Sequence, residues 1–234
     1  MTAPEAVPIR EAATVAVVRD GDDGLEVFMV RRAIEAVFSP GAHVFPGGAL
    51  DPEDRLGALE PWCDGLDDTT ASSILGVPHG GLGYYVAAAR ECFEEAGMLL
   101  ARRDGALVTD VDRYSAHRDA LNAGATGVLE MCIEESITLA VDLLMPFGHW
   151  ITPVGPPRRF DTRFFVAPAP PHQDPSHDGW ETTEGLWVRP VDVLAAADRG
   201  EVDLIEPTRH TLNALTDYDR VNDVLPNEVA EGPS

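Results

Sequence analysis

Two apolar runs near the amino terminus predict a β-hairpin. Residues 12–18 (AATVAVV) and 26–30 (EVFMV) are rich in β-branched and bulky apolar side chains. The stretch DGDDG at 20–24 separates them and has the glycine and aspartate content of a turn. A short strand that ends in a glycine loop is predicted at 41–48, GAHVFPGG.

The most regular helical pattern covers residues 82–101, LGYYVAAARECFEEAGMLLA. It is rich in alanine and free of proline, and Gly97 is placed to end it in the left-handed conformation. The other predicted elements are two helical patterns within 111–146, strands at 158–169 and 182–190, and helices at 191–200 and 207–218. Strands and helices that alternate in this way predict an α/β fold, a mixed sheet covered by helices.

Composition and charge narrow the classes of function. The 234 residues are 44% apolar and 24% charged, which is ordinary for a globular protein. The formal net charge of -23 argues against general binding to nucleic acid or to membranes, because both are polyanionic. All 17 basic residues are arginine. An anionic ligand would therefore be held by guanidinium groups, by a metal or by backbone amides.

The cysteines and the termini indicate a soluble cytoplasmic protein. Cys63, Cys92 and Cys132 are widely spaced and form no C-x-x-C pair, which favours free thiols and gives no zinc pattern. The amino terminus lacks the pattern of a signal peptide, and the apolar runs are shorter than the roughly 20 residues of a membrane span. We expect one domain over residues 1–226 and a polar tail at 227–234.

Three carboxylates are the candidate chemistry of the long helix. Glu91, Glu94 and Glu95 stand at i, i+3 and i+4 and therefore share one helical face. Each pair of like charges at this spacing destabilises a helix by about a few tenths of a kcal/mol, and a bound divalent cation would offset that cost. Hard oxygen ligands select Mg²⁺ or Mn²⁺. The spacing alone also fits a solvated acidic face on a surface helix.

The neighbouring residues favour the metal interpretation, because the segment resembles the second half of the Nudix box, R-E-U-x-E-E-x-G-U. The fixed positions of that motif are met by Arg90, Glu91, Glu94, Glu95 and Gly97. The preceding VFPGGALDPED resembles the first half, G-x5-E, with its P-G-G turn. Counting six residues on from Gly48 leads to Asp54, with Glu53 beside it, so either carboxylate could complete the box.

The spacer between the two halves is longer than in the family motif. It covers residues 55–89, where the family has seven residues. Loop closure depends only weakly on length, so the two halves can still meet in space. We expect an insertion, about 55–85, to form a partly helical cap that lines the substrate cleft.

A narrower resemblance points to the Nudix hydrolases that act on coenzyme A. Arg32, Ala33 and Gly41 fall in register with the motif that precedes the box in that branch, whereas Val37 stands where the motif has arginine. The segments HWITP (149–153) and RRFDTRFF (158–165) also resemble that branch. For Arg31 and Arg32, a solvated strand end is the alternative.

The resemblance implies a Nudix α/β/α sandwich with a magnesium or manganese ion on Glu91, Glu94 and Glu95. It implies that Arg90 orients the carboxylates or braces the glycine loop by charge-assisted hydrogen bonds. It also implies that Gly47 and Gly48 bring backbone amides close to the site. Arg32 would contact the substrate. A further carboxylate from a later loop would complete the site, and the candidates are Glu181 and Glu184.

The implied activity is magnesium-dependent cleavage of a diphosphate in a nucleotide-containing small molecule, with coenzyme A or acyl-coenzyme A as the leading candidate. An ADP-ribose or NADH pyrophosphatase and a non-catalytic nucleotide sensor are the alternatives. The retained glutamates argue against the sensor. A homodimer is compatible with the sequence, and no nucleic-acid or membrane partner is expected.

Overall fold

The amino-terminal hairpin forms as predicted and lies inside a mixed sheet. The computed structural model describes residues 7–33, 41–177 and 182–225. The strands of the large sheet are β1 (Ile9–Gly21), β2 (Gly24–Arg32), β3 (His43–Val44), β4 (Gly47–Ala49), β8 (Met145–Ile151), β9 (Arg159–Pro168) and β10 (Thr182–Val188). Their order is β10-β2-β1-β9-β8, with β3 paired to β2 and β4 paired to β1. The pair β1–β9 is parallel and the other pairs are antiparallel.

Helices cover both faces of this sheet. They are α1 (Asp68–Leu75), α2 (Gly81–Ala96), α3 (Ser115–Asn122), α4 (Val128–Glu135), α5 (Pro190–Asp198), α6 (Glu206–Leu215) and α7 (Val221–Val224). Along β1, Val15 and Val17 pack into the core that contains α2, while Ala16 and Val18 pack into the core that contains α6. This period of two buries both faces of the strand, as expected for a sheet between two helical layers. The predicted α/β/α sandwich is confirmed.

The long helix ends where Gly97 was expected to end it. Gly97 has a φ of 67°, and its N–H donates to the carbonyl of Phe93. The predicted helix nevertheless extended too far, because residues 98–100 lie outside the helix and β5 begins at Ala101. The extended chain belongs to a second sheet, ordered β6-β5-β7, whose strands are β5 (Ala101–Arg103), β6 (Ala106–Leu107) and β7 (Ile137–Leu139).

The second helical pattern within residues 111–146 is also shorter than predicted. Helix α4 ends at Glu135, and Ser136 adopts the left-handed conformation with a φ of 53°. The following apolar residues form β7, and the segment from Met145 forms β8, which was not predicted as a strand. Strand β7 pairs with β5, far earlier in the chain, so nothing local opposed the helical periodicity of this run. Strand β8 contains a proline and a glycine, and it forms a hairpin with the next strand, β9.

The insertion is partly helical, as predicted, and it packs at the opposite end of α2 from the carboxylates. Helix α1 packs against the amino-terminal half of α2, where the carboxylate of Asp68 accepts hydrogen bonds from the N–H groups of Gly80 and Leu82. Glu94 is twelve residues further along α2, about 18 Å at the rise of an α-helix. The first backbone N–H groups of a helix have no partner within the helix, and Asp68 of the insertion accepts hydrogen bonds from two such groups. These contacts hold the insertion at the start of α2, away from the glutamates near its end.

Two further observations concern the predicted cellular setting. Cys63, Cys92 and Cys132 are free, and the last two are buried. Within the described part of the chain, none of the helices combines the length and the apolar character that crossing a bilayer requires.

Candidate active site

A cavity of about 990 Å³ opens beside the carboxylate end of α2. Its walls include all seven residues that the sequence singled out for catalysis or substrate binding: Arg32, Gly47, Gly48, Arg90, Glu91, Glu94 and Glu95. The floor is the face of the sheet that carries alternate residues of β1 and β9, and the start of α6 forms the opposite rim. Residues 55–89 contribute nothing to the walls.

Arg90 is the centre of a charged network at this end of the cavity. Its Nε and Nη2 donate to the two carboxylate oxygens of Asp54, both at 3.0 Å. Its Nη1 donates to Glu91 Oε1 at 2.9 Å and to Glu94 Oε2 at 2.8 Å, and Nη2 also reaches the carbonyl of Ala49 at 3.1 Å. One guanidinium therefore donates hydrogen bonds to three carboxylates and to one backbone carbonyl.

The glycine pair places backbone directly against two of the glutamates. The N–H of Gly47 donates to Glu95 Oε2 at 2.9 Å. A Cβ on Gly48 would stand 2.3 Å from Glu91 Oε1, so no larger residue fits without moving that carboxylate. Both glycines lie on β4, whose pairing with Ala13 and Thr14 of β1 holds them in place. The glycine loop predicted from sequence is thus a short strand.

Burial raises the free energy needed to ionise Glu91 and Glu94. Desolvation raises the pKa of Glu91 to about 8, and the negative charges of Glu94 and Asp54 act in the same direction against the attraction of Arg90. Desolvation also raises the pKa of Glu94. For Arg90, burial lowers the pKa, but its hydrogen bonds to Asp54 and the surrounding carboxylates raise it above the ordinary value. The cluster contains four carboxyl groups and one guanidinium, that of Arg90. Its ionised carboxylates outnumber its positive charges, and a bound cation would offset that excess.

The donor chemistry of these side chains fits a hard divalent cation. Glu91, Glu94 and Glu95 offer carboxylate oxygens at the edge of a large cavity, and the close approach of Gly48 leaves the Glu91 carboxylate in contact with backbone. Within residues 7–33, 41–177 and 182–225, no three acidic, histidine or cysteine side chains are grouped so as to hold a metal ion. Arg90 instead engages Glu91 and Glu94 directly.

The structure chooses between the two carboxylates that could complete the box. Asp54 is 3% exposed and pairs with Arg90, while its Oδ2 also accepts the N–H of Asp51 at 2.8 Å. Glu53 lies against Gly127, where both border an adjoining cavity of about 260 Å³, and none of the ion pairs among the described residues joins Glu53 to Arg90. Asp54 therefore stands with the helix carboxylates, and Glu53 does not.

The residues near the end of β2 separate into a cavity side and a solvent side. Arg32 lines the cavity, and its buried Nε has no hydrogen-bond partner among the described residues. Arg31 points away from the cavity and lies 4.0 Å from the exposed carboxylate of Glu184. Glu184 is not among the residues that line the cavity. Glu181 and Val37 lie outside the described residues.

Several cavity residues were missed by the sequence analysis. They are on the sheet floor and on the α6 rim, and they include Arg10, Arg158, Thr162, Glu206 and Thr208. Alternation along β1, where residues 10, 12 and 14 share one face, was the available signal, but only the fold shows that this face is open at one end. Trp150 also lines the cavity, whereas Tyr84 is buried and its hydroxyl donates to Glu11.

Comparison with known proteins identifies the family. The sequence model of one protein family, the NUDT19 Nudix domain, matches residues 68–215 of this chain. A crystal structure of a Nudix hydrolase from Alicyclobacillus acidocaldarius is 30% identical and superposes with a TM-score of 0.76, covering 97% of this chain and 99% of that one.

Curated relatives extend the similarity to a named activity. The acyl-coenzyme A diphosphatase NUDT19 of Gallus gallus is 27% identical over 240 aligned residues, and that of Homo sapiens is 25% identical over 242. These alignments cover 85% and 86% of this chain. The chain spans only 63% of the length of each relative.

Proposed function

Because the chain belongs to the Nudix hydrolase family, we propose that it hydrolyses the diphosphate of a nucleotide-containing small molecule, with coenzyme A or an acyl-coenzyme A as substrate. The observation that carries this proposal is the network in which Arg90 and Gly47 hold Glu91, Glu94 and Glu95 at one end of the cavity. The named activity of the NUDT19 relatives supports the choice of substrate.

Nudix hydrolases generally use a divalent metal ion. In this chain Glu91, Glu94 and Glu95 would hold it, with Mg²⁺ or Mn²⁺ as the candidate ions. When bound, the ion supplies neutralisation of charge on the diphosphate oxygens and lowers the pKa of water. Asp54 remains with Arg90, because its carboxylate is saturated by the guanidinium and by the amide of Asp51.

The side chains themselves supply positioning and proton transfer. Water attacks one phosphorus, the bond from that phosphorus to the bridging oxygen breaks, and two phosphomonoesters result. One glutamate of the cluster accepts the proton of the attacking water. Glu95 has its orientation set by the N–H of Gly47, and Glu91 by Arg90. Positioned carboxylates and a cation suffice for this chemistry without a covalent nucleophile.

Arg32 would hold the substrate rather than take part in bond breaking. It lines the cavity at the end of β2, and its Nε is buried without a partner among the described residues. A buried guanidinium nitrogen without a partner is costly, so an anionic group of the substrate would satisfy it.

The test is product analysis with purified protein, Mg²⁺ or Mn²⁺, and a panel of coenzyme A, acyl-coenzyme A, ADP-ribose and NADH. The expected products from coenzyme A are 4′-phosphopantetheine and adenosine 3′,5′-bisphosphate, seen by mass spectrometry. Cleavage of ADP-ribose without cleavage of coenzyme A would overturn the choice of substrate. The absence of cleavage across the panel would favour a nucleotide sensor.

A further inference from the structure

Most arginines of this acidic protein are neutralised by carboxylates. Ion pairs among the described residues engage ten of the seventeen: Arg19, Arg31, Arg55, Arg90, Arg102, Arg103, Arg113, Arg189, Arg199 and Arg209. With 40 acidic and 17 basic residues, carboxylates greatly outnumber guanidinium groups. An arginine that lines the cavity and forms no ion pair among the described residues is therefore a candidate to bind an anionic ligand.

Two unpaired arginines lie at the same end of the cavity floor. Arg10 and Arg158 both line the cavity, and the ion pairs formed within the described parts of the chain involve neither of them. Strands β1 and β9 are parallel here, with Arg10 beside Phe160, two residues after Arg158. Arg158 lies in the bend immediately before β9 begins at Arg159, so both arginines border the cavity at the end where β1 and β9 start.

This pair lies at the opposite end of the floor from the glutamates. Gly48, which touches Glu91, is paired with Ala13 of β1. Arg10 is three residues before Ala13, about 10 Å along the strand. The floor between the two ends carries Trp150 and Thr162, an apolar ring and a hydroxyl that suit a nucleoside.

We propose that Arg10 and Arg158 form a second anion subsite, which binds a phosphomonoester on the ribose of the nucleotide half of the substrate. This inference rests on the proposed diphosphate hydrolysis, and it adds a specificity determinant that the carboxylate chemistry does not need. Two guanidinium groups give forked hydrogen bonding to phosphate oxygens. A substrate without that phosphate would leave both arginines unsatisfied and would bind more weakly.

Binding of the nucleotide half tests the subsite independently of turnover. The probes are adenosine 3′,5′-bisphosphate, adenosine 2′,5′-bisphosphate and AMP, measured by isothermal titration with the full chain. We expect one bisphosphate to bind at least tenfold more tightly than AMP. That advantage should fall to within twofold in the double variant Arg10→Gln/Arg158→Gln. The preferred isomer identifies which ribose hydroxyl carries the phosphate.

The matched control is Arg199→Gln, which removes the same charge far from the cavity, from an exposed pair with Glu201. It should keep the tenfold preference. Circular dichroism of the double variant establishes that the fold is retained, and the single variants Arg10→Gln and Arg158→Gln replace it if it does not fold. Wild-type protein that binds AMP and both bisphosphates equally would overturn the subsite, as would a double variant that keeps the preference.

Kinetics separates this proposal from the proposed function. Coenzyme A and 3′-dephospho-coenzyme A share the scissile diphosphate and differ only in the ribose phosphate. The double variant should raise KM for coenzyme A about tenfold, leave kcat within twofold, and leave KM for the dephospho compound unchanged. Equal loss with both substrates would overturn the subsite alone. If neither compound is cleaved, the substrate proposal fails, and the titration still decides whether the subsite exists.

Discussion

Arg90 and Asp54 form a two-pronged ion pair in which Nε meets Oδ1 and Nη2 meets Oδ2, each at 3.0 Å. Thirty-six positions separate them in sequence, and the whole insertion lies between. Both side chains are more than 90% buried. This contact joins the loop half of the box to its helix half, so it determines where Arg90 can present Glu91 and Glu94.

Substituting Asp54 should therefore weaken both the fold and the site. In Asp54→Asn, Arg90 keeps its charge in a buried position and loses its main partner. We expect a loss of about 3 kcal/mol in the free energy of unfolding, measured by chemical denaturation, together with reduced turnover. Asp51→Asn is the control, because Asp51 is 64% exposed and 3.7 Å from Arg90. Equal stability of the two variants would contradict a structural role for the buried pair.

Gly48 should be intolerant of a single methyl group. In Gly48→Ala the new Cβ would overlap Glu91 Oε1 at 2.3 Å, so the carboxylate has to move. We expect turnover to fall by at least tenfold while the far-ultraviolet spectrum stays unchanged. Gly57→Ala is the matched control, because nothing lies within 4 Å of its added Cβ. A Gly48→Ala enzyme with parental turnover would show that the position of Glu91 is unimportant.

Metal should stabilise the protein through the helix carboxylates. We expect Mg²⁺ or Mn²⁺ to raise the melting temperature of the parent, because a ligand that binds only the folded state stabilises it. Glu94→Gln and Glu95→Gln should abolish that increase and lower turnover by orders of magnitude. Glu134→Gln, on an exposed carboxylate of α4, should behave as the parent does. An unchanged metal-dependent shift in both site variants would refute the ligand assignment.

Two adjacent arginines on β2 offer a controlled test of substrate binding. Arg32 lines the cavity, and Arg31 faces Glu184. Arg32→Gln should raise KM about tenfold with kcat little changed, because a contact remote from the reacting phosphorus is present in both ground and transition states. Arg31→Gln should leave both constants within twofold. Steady-state kinetics on coenzyme A distinguishes them, and a change confined to kcat would contradict the assignment of Arg32.

The sequence alone determined the parts of this protein that depend on local geometry. The i, i+3, i+4 spacing places Glu91, Glu94 and Glu95 on one face of α2 in any fold that keeps the helix. Gly97 ends the helix because it adopts a positive φ without strain. The hairpin is predicted by two β-rich apolar runs on either side of a turn rich in glycine and aspartate, and strand β9 by a β-rich run that ends in prolines. Family membership also rested on these short, contiguous patterns.

Tertiary structure alone decided the features that depend on distant contacts. Counting from Gly48 leads to Asp54 with Glu53 beside it, and the packing of this segment against α2 buries Asp54 beside Arg90. The insertion lies beside the start of α2 because Asp68 satisfies amides there, which its spacing in the chain does not reveal. Arg10 belongs to the cavity floor because β1 and β9 are parallel neighbours that leave one end of their shared face open. Pairing between strands some 150 residues apart is set by the packing of the whole core, and no local pattern encodes it.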